Sequence, residues 1–225
     1  MAKIRAILTI AQMIITVTIT IIIMYIFNKQ NRKIRQVWAS LQLKLLGIQL
    51  EVVGEIDNDV DMYIMNHQSV MDIILFEYLL ARNTAWVAKK EIADIPWFGR
   101  ILKAPDMIIV ERESKSALIK LLKDSKEKLS QDRPIAIFPE GTRTDGKRLR
   151  KFKAGAKMIA NKYQLKVQPF VIINSLEILD SKKLTQTPGK VKIICLPTVQ
   201  ADKKTTWYDD VENNMREVLQ KELNS

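Results

Sequence analysis

Residues Ala6 to Phe27 form 22 consecutive positions without a charged side chain, and no other feature limits the architecture of this chain as strongly. Isoleucine dominates the run, joined by valine, leucine and methionine, with four threonines and one glutamine. As a helix at about 1.5 Å per residue it is roughly 33 Å long, close to the thickness of a hydrocarbon core. It is too long for the apolar segment of a signal peptide, and no small-x-small cleavage site follows. It therefore reads as a retained membrane anchor rather than a core helix. Lys3 and Arg5 precede it, and Lys29, Arg32, Lys33 and Arg35 follow. The larger cluster behind the run favours a cytoplasmic position for the rest of the chain. The threonines and the basic residues at both ends allow the helix either to span or to lie within one leaflet.

Arg32 to Leu46 repeats apolar residues at helical spacing, at Ile34, Val37, Trp38, Leu41 and Leu45, with Gly47 as a stop. Arg35 and Lys44 decorate this helix. A basic amphipathic helix with a tryptophan, directly after an anchor, suits a membrane interface, and one face can pack on the domain while the other meets head groups. Residues 1–47 are thus expected to form a membrane-associated helical hairpin, and residues 48–225 one α/β domain.

From Ile48 onward strand-like and helical patterns alternate. Strands are expected at residues 48–53, 62–65, 85–88, 107–110, 134–138, 166–173 and 191–196. Helices are expected at residues 69–82, 114–129, 154–163 and 206–223, with short helical turns over 89–103 broken at Pro96. That order predicts an α/β fold: a mixed, largely parallel sheet flanked by helices. The loop from Asn174 to Gly189 reads as an irregular insertion.

The formal net charge of +11 favours anionic partners: nucleic acid, anionic lipid head groups, phosphorylated substrates or acidic carriers. No aromatic-interleaved basic strand or recognisable module supports nucleic acid. The one cysteine, Cys195, excludes an internal disulfide and reads as a small buried strand residue. With one histidine and one cysteine, no zinc site of the usual kind is expected.

That histidine is His67, in Asn66-His67-Gln68-Ser69-Val70-Met71-Asp72, between a strand pattern and a helix. On one continuous helix, residues five apart diverge by about 140°. His67 must therefore precede the helix on extended backbone and fold back toward Asp72 in its first turn. A carboxylate bonded to one ring nitrogen leaves the other as a base. A competing account exists for Asp72, because Ser69-x-x-Asp72 also resembles a capping box. A second polar strand end is Phe138-Pro139-Glu140-Gly141-Thr142-Arg143, and Arg112 follows a third strand. Ligands in α/β sheets bind beyond the carboxyl ends of strands, so these groups could share one rim. From Arg143 to Lys153 six basic residues stand against Asp145, as a solvated loop or as an electropositive rim beside a membrane.

Taken in order, these blocks resemble the glycerophospholipid acyltransferases. The heptapeptide is similar to their His-x4-Asp motif, and residues 138–143 contain their Pro-Glu-Gly-Thr-Arg block without a gap. Lys90-Glu91 with Ile95-Pro96-Trp97-Phe98-Gly99, then Ile109-Val110-Glu111-Arg112, resemble the segments between. Phe152-Lys153-x-Gly155 and Val167-Gln168-Pro169 resemble the downstream blocks, so the likeness covers roughly residues 48–200. Ala104-Pro105-Asp106 departs where the family often has a glycine, and Gln168 where a small residue or proline is frequent. Within the family the chain looks most like the 1-acyl-sn-glycerol-3-phosphate acyltransferases.

The resemblance implies transfer of an acyl group from a coenzyme A or carrier-protein thioester to the sn-2 hydroxyl of lysophosphatidic acid. It implies His67 and Asp72 as catalytic residues, with His67 as base. Arg112 and Arg143 would bind the acceptor phosphate, Glu140, Gly141 and Thr142 would position the glycerol, and Lys153 would line the site. No metal or cofactor is implied. The expected partners are an anionic phospholipid membrane, the lysophosphatidate and the acyl carrier, not nucleic acid. The expected place is a bacterial cytoplasmic membrane, with the domain on the cytoplasmic side. A hydrolase using the same pair on water, or an acyltransferase acting on glycerol-3-phosphate or another lysolipid, would share these residues.

Overall fold

The computed structural model of the protein describes residues 2–111 and 115–224. Helix α1 (Ala2–Ile26) and helix α2 (Asn31–Leu45), joined by a 3-10 turn at Asn28–Gln30, form an antiparallel hairpin. The polar residues of the apolar run lie at its seam. Trp38 Nε1 and Gln42 Nε2 both donate to Thr16 Oγ1 at 3.1 Å, and Gln12 Nε2 donates to Gln42 Oε1 at 2.6 Å. Ala6, Val17, Ile21 and Met24 are buried on one side of α1, while Ile7, Leu8, Ile15, Ile19 and Ile26 are exposed on the other.

Next come β1 (Ile48–Val53), β2 (Met62–Met65), α3 (Met71–Leu79), β3 (Ala85–Lys89), α4 (Lys90–Ala93), α5 (Arg100–Lys103) and β4 (Ile108–Val110). They are followed by α6 (Lys115–Ser130), β5 (Ile135–Ile137), α7 (Ala154–Tyr163), β6 (Lys166–Ile173) and α8 (Ser175–Ile178). The chain ends with β7 (Leu179–Asp180), β8 (Thr185–Gln186), β9 (Gly189–Cys195), β10 (Val199–Gln200) and α9 (Trp207–Leu223). The main sheet runs β1-β9-β6-β2-β5-β3-β4, with β10 also on β6. β6, β2, β5, β3 and β4 are mutually parallel; β9 is antiparallel to β6 and parallel to β1. The expected mixed, largely parallel sheet is therefore present.

The centre is β2, where Met62, Tyr63, Ile64 and Met65 are all fully buried. A strand covered on both faces reads as a continuous apolar run, as this one does. Met62 and Ile64 face the layer of α6, α7 and α9, whereas Tyr63 and Met65 face the layer of α2 and α3. Pro169 is tolerated inside β6 because it falls between the β10 pairing, which ends at Val167, and the β9 pairing, which begins at Phe170.

Four expectations change. Arg35 does not decorate the surface: it is 3 % exposed and ion-paired with Glu77, and it donates to Asn83 Oδ1 at 2.6 Å. Arg32 bonds the same carboxylate at 2.7 Å, so the basic cluster after the anchor is left with Lys29 and Lys33 as its exposed members. Helix α3 spans Met71–Leu79 rather than residues 69–82, because Ser69 and Val70 belong to the turn around Asp72. The segment from Asn174 to Gly189 is not irregular but holds α8 and the β7–β8 pair. At the Ala104-Pro105-Asp106 departure Asp106 adopts φ +55°, a backbone that aspartate accepts more readily than most residues.

Candidate active site

The carboxyl ends of the parallel strands place the polar groups. His67 follows β2 and Glu140 follows β5, while Ser175 follows β6. Helix α3 begins at Met71, so His67 stands outside it and Asp72 lies in its first turn. Their side chains meet, with His67 Nδ1 2.8 Å from Asp72 Oδ2.

The same Oδ2 accepts the Gln68 N–H at 2.7 Å and the Ser69 N–H at 2.9 Å. Oδ1 accepts the Ser175 hydroxyl. The Ser69 contact is one half of the capping box, so the same carboxylate oxygen that caps the helix also meets the imidazole. The other half is altered: Ser69 Oγ accepts the Met71 N–H at 3.3 Å and donates to the Leu179 carbonyl at 2.7 Å. The Gln68 N–H, the Ser69 N–H and the Ser175 hydroxyl all donate to the fully buried carboxylate, which is suited to receive an Nδ1–H from the imidazole as well. Nε2 makes no hydrogen bond among the described residues, and the His67 side chain is 13 % exposed.

The ring is held by its face as well. It stacks on Phe138 with centroids 3.9 Å apart and planes 13° apart, and Phe138 in turn stacks on Trp86 at 5.5 Å. Trp86 Nε1 donates to Glu77 Oε1 at 2.7 Å, on the carboxylate that holds Arg32 and Arg35. The main chain at His67 is equally fixed. Its N–H donates to Glu140 Oε1 at 2.8 Å, and its carbonyl accepts the Thr144 N–H at 2.8 Å. Asn66 bridges to β6, donating to the Ile172 carbonyl at 2.9 Å and accepting its N–H at 2.7 Å.

Glu140 does not face an open site. It is 1 % exposed, and Oε2 accepts the Arg150 N–H at 2.7 Å. Burial lifts its carboxyl to about 7, opposed by the two N–H bonds and assisted by the nearby Asp72 charge. The expected glycerol contact through Glu140 is thus replaced by a hold on the protein's own main chain. Gly141 has φ +70°, which a residue without Cβ adopts at low cost in the turn that leaves β5.

Thr142, Arg143 and Lys153 are exposed. Arg143 Nη1 donates to Ser181 Oγ at 3.1 Å, and no hydrogen bond joins the Thr142 or Lys153 side chain to the His67–Asp72 pair among the described residues. Arg112 lies outside the described residues. No cluster of three His, Cys, Asp or Glu side chains is placed to hold a metal among the described residues. Sequence reasoning missed Ser175 and the buried Glu77. The position of Ser175 just beyond the end of β6 was the available signal.

A family model described as acyltransferase matches residues 57–173. The 1-acyl-sn-glycerol-3-phosphate acyltransferase of Helicobacter pylori is 39 % identical over 209 residues, covering 90 % of this chain and 88 % of that protein. The protein of the same name from Cocos nucifera is 27 % identical over 217 residues, covering 93 % of this chain and 70 % of its own length. The crystal structure of the 1-acyl-sn-glycerophosphate (LPA) acyltransferase from Thermotoga maritima matches with a TM-score of 0.72 at 25 % identity, covering 100 % of this chain and 97 % of that one.

Proposed function

The chain belongs to the acyltransferase family, and from that premise we propose that it acylates the sn-2 hydroxyl of 1-acyl-sn-glycerol-3-phosphate from a thioester, giving phosphatidic acid for phospholipid synthesis. The His67–Asp72 pair carries the reading. His67 Nε2 takes the hydroxyl proton as the acceptor oxygen bonds to the thioester carbonyl carbon. The tetrahedral intermediate then collapses with cleavage of the C–S bond, and the thiolate leaves with the proton returned by Nε2. Asp72 fixes the ring and offsets the imidazolium charge. The thioester is already activated, so no nucleophile from the chain is needed.

The remaining groups are assigned by place, except Arg112, which is assigned from its sequence block alone. Arg143 and Arg112 take the acceptor phosphate, for which a guanidinium fork is suited. Gly141 and Thr142 flank the glycerol, and Lys153 adds positive charge at the head of α7. Glu140 acts on the enzyme side, by holding His67. The basic loop 143–153 is compatible with coenzyme A or an acidic carrier protein as the acyl bearer.

Residues 1–47 serve as the membrane hairpin and 48–225 as the catalytic domain. α1 is long and apolar enough to cross a membrane. Its buried face runs from Ala6 to Met24, Thr18 Oγ1 accepts the Trp97 Nε1–H at 3.0 Å, and β8 packs beside it. A helix laid along the domain over that length supports insertion into one leaflet. Exposed Val37, Leu41, Leu45, Ile95, Trp97 and Phe98 extend the apolar surface. The cytoplasmic face of a bacterial inner membrane fits, since acyl thioesters are cytosolic.

The test is an acceptor panel with purified protein and one labelled acyl thioester, read by product mass. Lysophosphatidate should yield phosphatidic acid with the label at sn-2. Release of free fatty acid at the same rate with and without acceptor would overturn the reading.

A further inference from the structure

We propose that Ser175 is a positioning residue of the acyl-transfer site, holding the Asp72 carboxylate from the segment that also contacts the membrane hairpin. The proposal rests on the reading of His67 as base. Ser175 lies beyond residues 57–173, the stretch matched by the family model, so none of the family blocks named above includes it.

Ser175 and Asp72 are both fully buried. The Ser175 hydroxyl donates to Asp72 Oδ1, and the next acceptor, Gln68 Oε1, is 3.4 Å away. Among the described residues no other donor reaches Oδ1, whereas Oδ2 is shared by His67, Gln68 and Ser69. A buried carboxylate oxygen stripped of its only donor is costly to leave unmet. The group would turn in search of another donor, carrying Oδ2 off Nδ1 and releasing the imidazole from its fixed angle. Ser175 is aimed by Asn174, whose φ of +67° turns the chain sharply off the end of β6.

The segment that begins at Ser175 also reaches Ser69 and Arg143. The Leu179 carbonyl accepts the Ser69 hydroxyl at 2.7 Å, and Ser181 accepts Arg143 at 3.1 Å. β8 packs on α1, and Gln186 Nε2 donates to the Leu46 carbonyl at 3.1 Å. One stretch of chain therefore joins the hairpin, the arginine assigned to phosphate and the carboxylate behind the base.

The experiment compares Ser175→Ala and Ser175→Cys with the unaltered full chain. His67 is the only histidine, so ¹⁵N-histidine labelling reports one imidazole without assignment. In Ser175→Ala, kcat should fall about 10–100-fold, the range for loss of a group that orients a reacting partner. KM for lysophosphatidate should stay within about twofold, since Ser175 touches no ligand in this scheme, and loss of ground-state binding is what raises KM. The Nδ1-bound proton signal should broaden or move. The cysteine variant, with a weaker donor of similar shape, should fall between. Wild-type kcat would overturn the proposal, as would a loss of turnover with unmoved imidazole signals, which marks a merely structural role. If the alanine variant does not fold, the cysteine variant decides by the same two readouts. Retained turnover in His67→Ala would instead remove the base, and the imidazole spectrum would still report whether Ser175 orders that ring.

Discussion

Glu140 ties the main chain at His67 to the main chain at Arg150: one carboxylate oxygen accepts the His67 N–H at 2.8 Å and the other the Arg150 N–H at 2.7 Å. Because burial raises this carboxyl from 4.5 to about 7, the folded chain holds the proton more tightly than the unfolded one. Its contribution to stability is complete below about pH 4.5 and is lost as pH rises through about 7, a change on the order of 3 kcal/mol. The melting temperature of the wild type should therefore fall relative to that of Glu140→Gln from pH 5 to pH 8. A difference between the two that is independent of pH would refute the shift.

Removal of the base is the sharpest test of the chemistry. His67→Ala should keep the fold and lose acyl transfer by about 10²–10⁴-fold. Circular dichroism and a radiolabelled transfer assay decide it; near-normal turnover would end the mechanism given above.

Arg143 is exposed and anchored to Ser181 by one hydrogen bond at 3.1 Å. Arg143→Ala should raise KM for lysophosphatidate about tenfold or more, as expected for a lost charge-assisted contact of about 1.5–3 kcal/mol. KM for the acyl thioester should change less. Unchanged kinetics for the acceptor would take Arg143 out of the phosphate site.

Glu77 is 6 % exposed and receives Arg32, Arg35 and Trp86 Nε1. Glu77→Gln leaves two inward guanidinium groups without a counter-charge, which costs about 3–5 kcal/mol for a buried pair. Urea unfolding would measure it, and a loss below about 1 kcal/mol would mean the arginines find solvent instead.

Val37 and Leu41 on α2 are 62 % and 42 % exposed. Asp at both positions should cut binding to phospholipid vesicles by at least about tenfold, since burying each such side chain is worth about 1.5–3 kcal/mol. The melting temperature should hold, because neither side chain is in the core. Undiminished vesicle binding would place the membrane contact elsewhere.

The sheet and its helices were legible because period-2 and helical patterns are local properties of the chain. The meeting of His67 with Asp72 was legible for the same reason, since five residues across a strand-to-helix turn fix the geometry. Arg35 was misread because an arginine among apolar residues looks solvated until its partner is seen, and Glu77 lies 42 positions away. Ser175 was invisible for a similar reason: it stands 103 positions from Asp72, in a stretch whose composition resembles a loop. The inward turn of Glu140 also depended on distant main chain, at residues 67 and 150.

The clamp on the imidazole has a kinetic corollary. With Nδ1 tied to Asp72 and the ring face pressed on Phe138, the imidazole is not free to flip between proton uptake and proton return. In the proposed mechanism, uptake from the hydroxyl and delivery to the departing sulfur both pass through a single nitrogen. Because the proposed transfer uses no nucleophile of the chain, the acyl group has nowhere to wait, and the two substrates have to be present together with their reacting atoms gathered around that nitrogen. Initial-rate plots against either substrate should intersect rather than run parallel, and neither half-reaction should proceed alone.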